Sequence, residues 1–401
     1  MAKVCILTSA HQASDSRVFH KEAVSLARGG HQVELLAPDA EFKDDHRIDG
    51  VLVRPLRRRS GKLFRGPLSR ASRWFELFAR ARASKADVYH FHDPELLPLG
   101  VILRRLTGAR VIYDSHEALA HVVLARQYIP GRLRKTVSRA VRWAEPRLAR
   151  ALDAVIVTNE ESAALFPGAR RVCVIYNYVD TALFGPVPED QRDEQVIYVA
   201  GRLGRLQGFL TVARAFAMVH SRRPAARLIL IGDIPDEQVR LEFDAILDEA
   251  DAREAVMLLG RIPHREVVAH IQRSAAGLFA GLDVPNHVLA TPIKLFEYMA
   301  CGIPVVVSNY GFLDQYVTAP GAGLLFDPCS AESLAEALDY LLSHPDEASA
   351  MGARGLAMVQ REWNWGAMER RLLALYQSLL GERDTKGDLD NIGTWSSLGL
   401  S

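Results

Sequence analysis

Cysteine is scarce in this chain: four in 401 residues, Cys5, Cys173, Cys301 and Cys329, with no CxxC pair and no Cys/His spacing of a metal site. That excludes a disulfide framework and a zinc module. It predicts free thiols in a reducing compartment, buried where they sit inside apolar runs. Long apolar runs are missing too. Nothing approaches the roughly 18 residues of a membrane-spanning helix, and the opening MAKVCILTSA is too short and polar for a signal peptide. The expectation is a cytoplasmic chain, soluble or peripheral at the inner face of the cell membrane. Net charge is nearly absent, but the +1 hides an asymmetry. Residues 1–187 hold 30 Lys+Arg against 19 Asp+Glu, and residues 188–401 hold 19 against 29. A split of that size predicts two domains with different partners.

The chain is too long for one core. At 49% hydrophobic and 24% charged residues it is an ordinary globular composition. Lys3 to Thr8 is a short apolar run, Val18 to Arg28 carries helical spacing ended by Gly29-Gly30, and Val33 to Ala37 is the next strand. Strand, helix and strand in that span make a βαβ unit, hence a parallel sheet. The loop after the first strand lies at the sheet's carboxyl edge, where such sheets bind ligands. Asp15, Arg17, Lys21 and Glu22 therefore face a substrate on the acceptor side or, by the commoner alternative, are surface charges.

Residues 57 to 85 hold ten Lys and Arg against a single acid, Glu76. Trp74, Leu77, Phe78 and Ala81 fall at helical spacing, giving a basic amphipathic helix. It suits an anionic membrane surface, or its apolar stripe simply packs on the domain core. No recognition motif accompanies the charge, so nucleic acid is not an expected partner. VYHFHDP (88–94) and VIYDSHE (111–117) are strands with polar endings. Histidines and carboxylates at two strand ends suit a cleft. His116 is the first candidate, with Asp114 and Glu117 to orient it, followed by His92 and Asp93. A second basic helix spans Arg132 to Arg150, strands follow near 154–158 and 172–176, and the interdomain linker is placed at Asn177 to Pro188.

The alternation restarts at Val196 to Ala200. It runs through a Gly-rich turn, GRLGRLQG (201–208), that can approach phosphate with backbone N–H groups but is not GxGxxG. Arg202 and Arg205 stand on that turn. Strands recur at 227–232, 256–259, 276–280 and 304–308, and helices at 332–342, 345–361 and 367–380. Within PNHVLATPIKLFEYMACGIPVVVS (285–308), Thr291-Pro292 opens a helix that Gly302 and Pro304 close. Lys294 and Glu297 are neighbours on it, suited to a pyrophosphate and a ribose, or to a plain surface ion pair. The fold class is α/β with two doubly wound parallel sheets. Asp388-Leu389-Asp390 lies in a polar tail, 382–401, read as disordered, and is discounted as a metal motif.

PIKLFEYMACGIPVVVS, the paired FHDPELLP and VIYDSHE segments, and DSRVFHKEAVSLARGGHQV together resemble the retaining glycosyltransferases of family 4, on the GT-B fold. The resemblance covers the chain to about residue 380. It implies two Rossmann-like domains facing a cleft: 1–187 for the acceptor, completed by the helix 363–381, and 188–362 for a nucleoside-diphosphate sugar. By the same resemblance Lys294 and Arg202, helped by Arg205, hold the donor diphosphate, Glu297 binds the ribose hydroxyls, and His116 contacts the transferred sugar with Asn286, His92 and Asp93 nearby. Lys294, Glu297 and His116 are thus the catalytic candidates. No cofactor or metal is expected beyond the donor. The acceptor would be a sugar, a lipid-linked glycan or a small molecule. Leu289 stands where many members carry a second glutamate, and Gln207 where they carry a lysine. A nucleotide-sugar epimerase and a non-catalytic nucleotide-sugar binding protein are the rival expectations.

Overall fold

A computed structural model describes residues 1–56, 67–116, 118–125, 129–188, 191–284 and 291–381. The positions expected at Asn286, Leu289, Glu117, 57–66 and the 388–390 motif lie outside the described residues. The chain divides into two compact units, Met1–Asn177 together with the chain from Met368 onward, and Tyr178–Ala367.

The first unit is built on β1 (Lys3–Leu7), β2 (Gln32–Ala37), β3 (His46–Ile48), β4 (Val51–Pro55), β5 (Val88–Phe91), β6 (Arg110–Ser115), β7 (Ala154–Val157) and β8 (Val172–Val174). Among the described residues their order is β3-β4-β2-β1-β5-β6-β7-β8, parallel except for the β3–β4 hairpin. That hairpin turns through Asp49-Gly50, both at positive φ, a pair of residues that tolerates the mirror-image turn. The inner strands β1, β2, β5, β6 and β7 are rich in buried Val, Ile, Leu, Tyr and Phe, as a sheet covered on both faces demands. Ile6 pairs with His90 and His90 with Ile112, a register that ends β1, β5 and β6 side by side.

The span expected as one α-helix from Val18 to Arg28 is different. Ser16–Ala23 winds as a π-helix, opened by Asp15, and only Val24–Arg28 is α. The basic helix Pro67–Ser84 spends its apolar stripe inside: Leu77 and Ala81 are buried, and Trp74 and Phe78 pack on the same cluster as Tyr89, Leu99 and Leu103. For the described part of 57–85 this is the packing alternative: the stripe is spent on the domain core.

The second unit carries β9 (Asp193–Arg202), β10 (Arg227–Asp233), β11 (Val256–Leu258), β12 (Ser274–Phe279), β13 (Val305–Ser308) and β14 (Gly323–Phe326), all parallel, in the order β11-β10-β9-β12-β13-β14. Val196, Tyr198, Leu228, Leu278 and Val306 meet Phe209, Phe216 and Leu338 from the helices Phe209–Arg222 and Ala331–Ser343 in its core. Both units are α/β with doubly wound sheets. Cys5 and Cys301 are buried as expected, but Cys173 is half-buried and Cys329 exposed, because the latter sits in the turn before a helix rather than in a strand.

Candidate functional site

In the first unit the chemistry gathers at the carboxyl ends of β1, β5 and β6. Asp15 opens the π-helix, one carboxylate oxygen accepting from the N–H groups of Arg17 and Val18 and the other lying 3.1 Å from His11 Nδ1. Burial opposes ionisation of Asp15, yet the hydrogen bond to His11 and those from the backbone hold it down at about 2. That same bond raises the His11 pKa.

A π turn brings residues five apart onto one face, which an α turn does not. So Arg17 and Glu22 meet, with Nε 2.9 Å from Oε1. Arg17 also places Nη2 2.9 Å from Asp114 Oδ2 on β6 and donates from Nη1 to the Ile175 carbonyl. Arg17, Lys21 and Glu22 are all buried, which overturns the surface alternative. Lys21 donates to Asn177 Oδ1 at 2.7 Å.

Around this charge stand three histidines. His90 Nδ1 pairs with the Tyr376 hydroxyl at 3.0 Å, and its Nε2 faces Glu22 at 3.7 Å. His92 Nδ1 lies 3.0 Å from His116 Nε2, and Asp114 Oδ1 is 3.5 Å from that same His116 atom. Burial pushes His90 and His116 down to about 4 and His92 well below the ordinary histidine range, so all three are neutral near neutrality. Glu22 moves the other way: burial and then the Asp114 charge raise it well above the carboxylate range, against the pull of Arg17. Burial also penalises Asp114, but Arg17 and the histidines outweigh it and keep that carboxyl low. Of the two carboxyls beside the Arg17 guanidinium, Asp114 is the one that favours its charge, and burial favours a proton on Glu22.

Ligand atoms of Glu22, His90, His92 and Asp114 lie within 4.8 Å of one another, the spacing of a cation site among the described residues. Both Glu22 oxygens, Asp114 Oδ1 and the Nε2 atoms of His90 and His92 lack hydrogen-bond partners there. Arg17 already supplies the compensating charge at 2.9 Å from both carboxylates, so a divalent ion would add a second positive charge in the same buried volume. Asp93 does something else. Its Oδ2 accepts from Thr8 Oγ1 at 2.8 Å and the Ser9 N–H at 2.6 Å, pinning the loop after β1.

In the second unit the site forms above β9 and β12. A cavity of about 220 Å³ is lined by Val199, Gly201, Gln207, Phe279, Lys294 and Tyr310 among others. The helix Ile293–Ala300 starts at Pro292 and buries Leu295 to Ala300. Its Tyr298 hydroxyl accepts from the Val199 N–H at 2.9 Å and donates to the Leu278 carbonyl, while its ring lies where a side chain on Gly277 would be. The helix is thereby anchored to β9 and β12, and Lys294 points into the cavity. Lys294 Nζ sits 2.7 Å from Glu297 Oε2. This is the i,i+3 pair that spacing allows, but not a solvated one: the Glu297 side chain is 4% exposed and that of Lys294 26%. Gln207 reaches the cavity from the Gly-rich turn. That turn closes at Gly208, φ +66°, where any Cβ would collide with the Ala280 carbonyl. Arg202 ends β9 and is exposed. Arg205 turns away to Glu242 at 2.6 Å, so the structure does not bring it to Lys294.

His90 and His11 carry no sequence signal that joins them to Glu22, Asp114 and His116: the register of β1, β5 and β6 brings His90 there, and the loop after β1 brings His11. Tyr310, on the cavity wall, follows β13 in a loop with no distinguishing pattern.

Comparison with known proteins covers both units. Residues 184–358 match the family described as glycosyl transferases group 1, and residues 16–178 the glycosyl transferase 4-like domain. A GDP-mannose-dependent monoacylated alpha-(1-6)-phosphatidylinositol monomannoside mannosyltransferase from Corynebacterium glutamicum is 31% identical over 50% of this chain and 54% of its own length. A D-inositol 3-phosphate glycosyltransferase from Segniliparus rotundus is 26% identical over 70% of this chain and 64% of its own. The chain thus spans little more than half to two thirds of these relatives. Among solved structures, sucrose-phosphate synthase from Thermosynechococcus elongatus superposes with TM-score 0.74 at 21% identity, covering 95% of this chain and 100% of that one. The Anabaena protein HepE in complex with UDP-glucose gives TM-score 0.71 at 16% identity, covering 94% and 100%.

Proposed function

Because the chain belongs to the group 1 glycosyltransferases of family 4, built on the GT-B fold, we propose that it moves a sugar from a nucleoside-diphosphate sugar to an acceptor hydroxyl, with retention at the anomeric carbon. The observation that carries the reading is Lys294 on the cavity wall, beside a buried Glu297 and at the start of a helix. Lys294 and the helix N-terminus stabilise the leaving diphosphate, joined by Arg202. Glu297 accepts from the ribose hydroxyls. His116 contacts the transferred sugar. The acceptor oxygen bonds to the anomeric carbon as the bond to the donor phosphate breaks, and the leaving phosphate takes the acceptor's proton. The charge stabilisation needs no divalent metal on this reading, so turnover persists in a chelator.

GDP-mannose is the first donor to test, since the Corynebacterium relative is named for it, and UDP-glucose the second, since it is bound in HepE. The acceptor class is a sugar or lipid-linked glycan, met at an anionic membrane surface. A thermal-shift panel of nucleoside diphosphates identifies the base, because a ligand of the folded state raises its stability by mass action. Donor consumption with and without candidate acceptors then decides the chemistry. A new sugar nucleotide formed without acceptor indicates an epimerase, and binding without transfer or hydrolysis a binding protein. No stabilisation by any nucleoside diphosphate would refute the proposal.

A further inference from the structure

Among the described residues of the N-terminal unit, the helix Gly131–Ala149 has a face that packing leaves uncovered. Gly131–Ala149 buries Ser138, Glu145 and Ala149 on its inner side. Ser138 Oγ donates to the Ala120 carbonyl of the neighbouring helix Leu119–Ala125, and Glu145 accepts from the Tyr113 hydroxyl at 2.9 Å. At helical spacing the opposite side carries Leu133, Thr136, Ala140 and Trp143. Leu133 is 48% exposed and Trp143 62%, with Val137 at the margin of the stripe and Leu124 exposed on the adjoining helix. Arg132 and Arg139 border one edge of the stripe, Lys135 and Arg142 lie further round on the same side, and Arg147 stands on the stripe itself, all exposed. Arg147 lies over the Trp143 ring at 4.3 Å. Glu145, the only acid of this helix, is turned inward, so its outer face carries cations, apolar groups and Thr136 but no acid.

An outward tryptophan on an apolar stripe bordered along one edge by arginines is costly in water and matches the boundary of a charged bilayer. The indole suits the headgroup level, and long arginine stems reach phosphates while lying along apolar surface. We propose that the Gly131–Ala149 helix docks the chain on an anionic lipid bilayer through Leu133, Ala140 and Trp143, with Arg132, Arg139 and Arg147 on lipid phosphates. A diffuse negative surface with apolar depth answers every group on this face. The excess of cations over residues 1–187 adds long-range attraction of the same sign. This deepens the membrane-surface part of the proposed function and rests on it, while moving the contact away from 57–85, whose described stripe is spent on the core.

The test uses the full chain with vesicles of equimolar phosphatidylcholine and phosphatidylglycerol, against pure phosphatidylcholine, at low and high salt. Wild type is expected to co-sediment with the anionic vesicles at low salt only. Arg132→Ala with Arg139→Ala weakens partition by about 30-fold, two cations each contributing roughly fivefold. Trp143→Ala weakens it several-fold, Trp143→Phe restores most of the loss, and circular dichroism confirms that each variant is folded. Equal binding by wild type and by the Trp143→Ala and double-arginine variants overturns the proposal. So does equal binding to neutral vesicles, as would follow if the face serves a protein partner. If replacing Arg57, Arg58 and Arg59 abolishes sedimentation while Trp143→Ala does not, the membrane reading stands and this assignment falls. If wild type never binds, both fall.

Discussion

Arg17 faces two buried carboxylates, and that sets the cost of touching either. Asp114 is the partner that stays ionised. Asp114→Asn therefore leaves a guanidinium buried without a matched charge, a loss of about 3–5 kcal/mol. The denaturant midpoint measures it, and a change below about 1 kcal/mol would show that Arg17 finds its charge balance elsewhere. Lys294 differs, being part-exposed. Lys294→Ala should leave the fold intact and cost on the order of 10²-fold in kcat, as for other fixed charges aimed at a leaving group. Unchanged turnover in a transfer assay would remove Lys294 from the site. At this scale the sequence was uneven. Lys294 and Glu297 were readable as neighbours because both sit on one short helix, and His116 because a strand ends in front of it. Arg17 and Asp114 lie 97 positions apart, and no local pattern announces that an arginine at the start of a helix will be buried against a distant strand.

Among the elements, the helix Ile293–Ala300 and the strand after it were legible because Pro292, Gly302 and Pro304 punctuate them and Val305 to Val307 is β-branched. What could not be read was how the helix is fastened. No sequence pattern marks Tyr298, yet its hydroxyl is the partner of the Val199 N–H. Tyr298→Phe keeps the ring and strands that buried donor, at about 1–3 kcal/mol. It should also loosen Lys294, so a higher KM for donor is expected beside the lower unfolding midpoint. A variant as stable as wild type would mean that water replaces the hydroxyl. Ser16–Ala23 escaped for another reason: apolar spacing does not distinguish π from α winding over eight residues, and what ties the wider turn down is Arg17, paired with Glu22 in the same helix and with Asp114 on β6. The β3–β4 hairpin had its Asp-Gly signal, but its first strand has only three residues, too few for alternation to show.

Across the molecule, the buried histidines and carboxylates around Arg17 concentrate the pH response in the N-terminal unit, and they pull stability in opposite directions. His90, fully buried, titrates at about 4 in the fold against about 6.5 when unfolded. Below pH 6.5 the unfolded chain binds the proton first, so stability falls as pH drops through 6.5 towards 4, by about 3 kcal/mol from His90 alone. His116 adds a loss of the same sign. Glu22 is raised instead. Above about 4.5 the unfolded chain releases a proton that the fold retains, so Glu22 costs stability increasingly as pH rises, and it flattens the acid limb. Glu22→Gln mimics the protonated carboxyl and removes that dependence. The variant should match wild type near pH 4, exceed its stability increasingly up to neutrality, and lose stability more steeply on acidification. Urea midpoints across pH 4 to 7.5 for both proteins decide the matter, and parallel profiles would mean that Glu22 is ionised beside Arg17 and that the cluster carries a net negative charge.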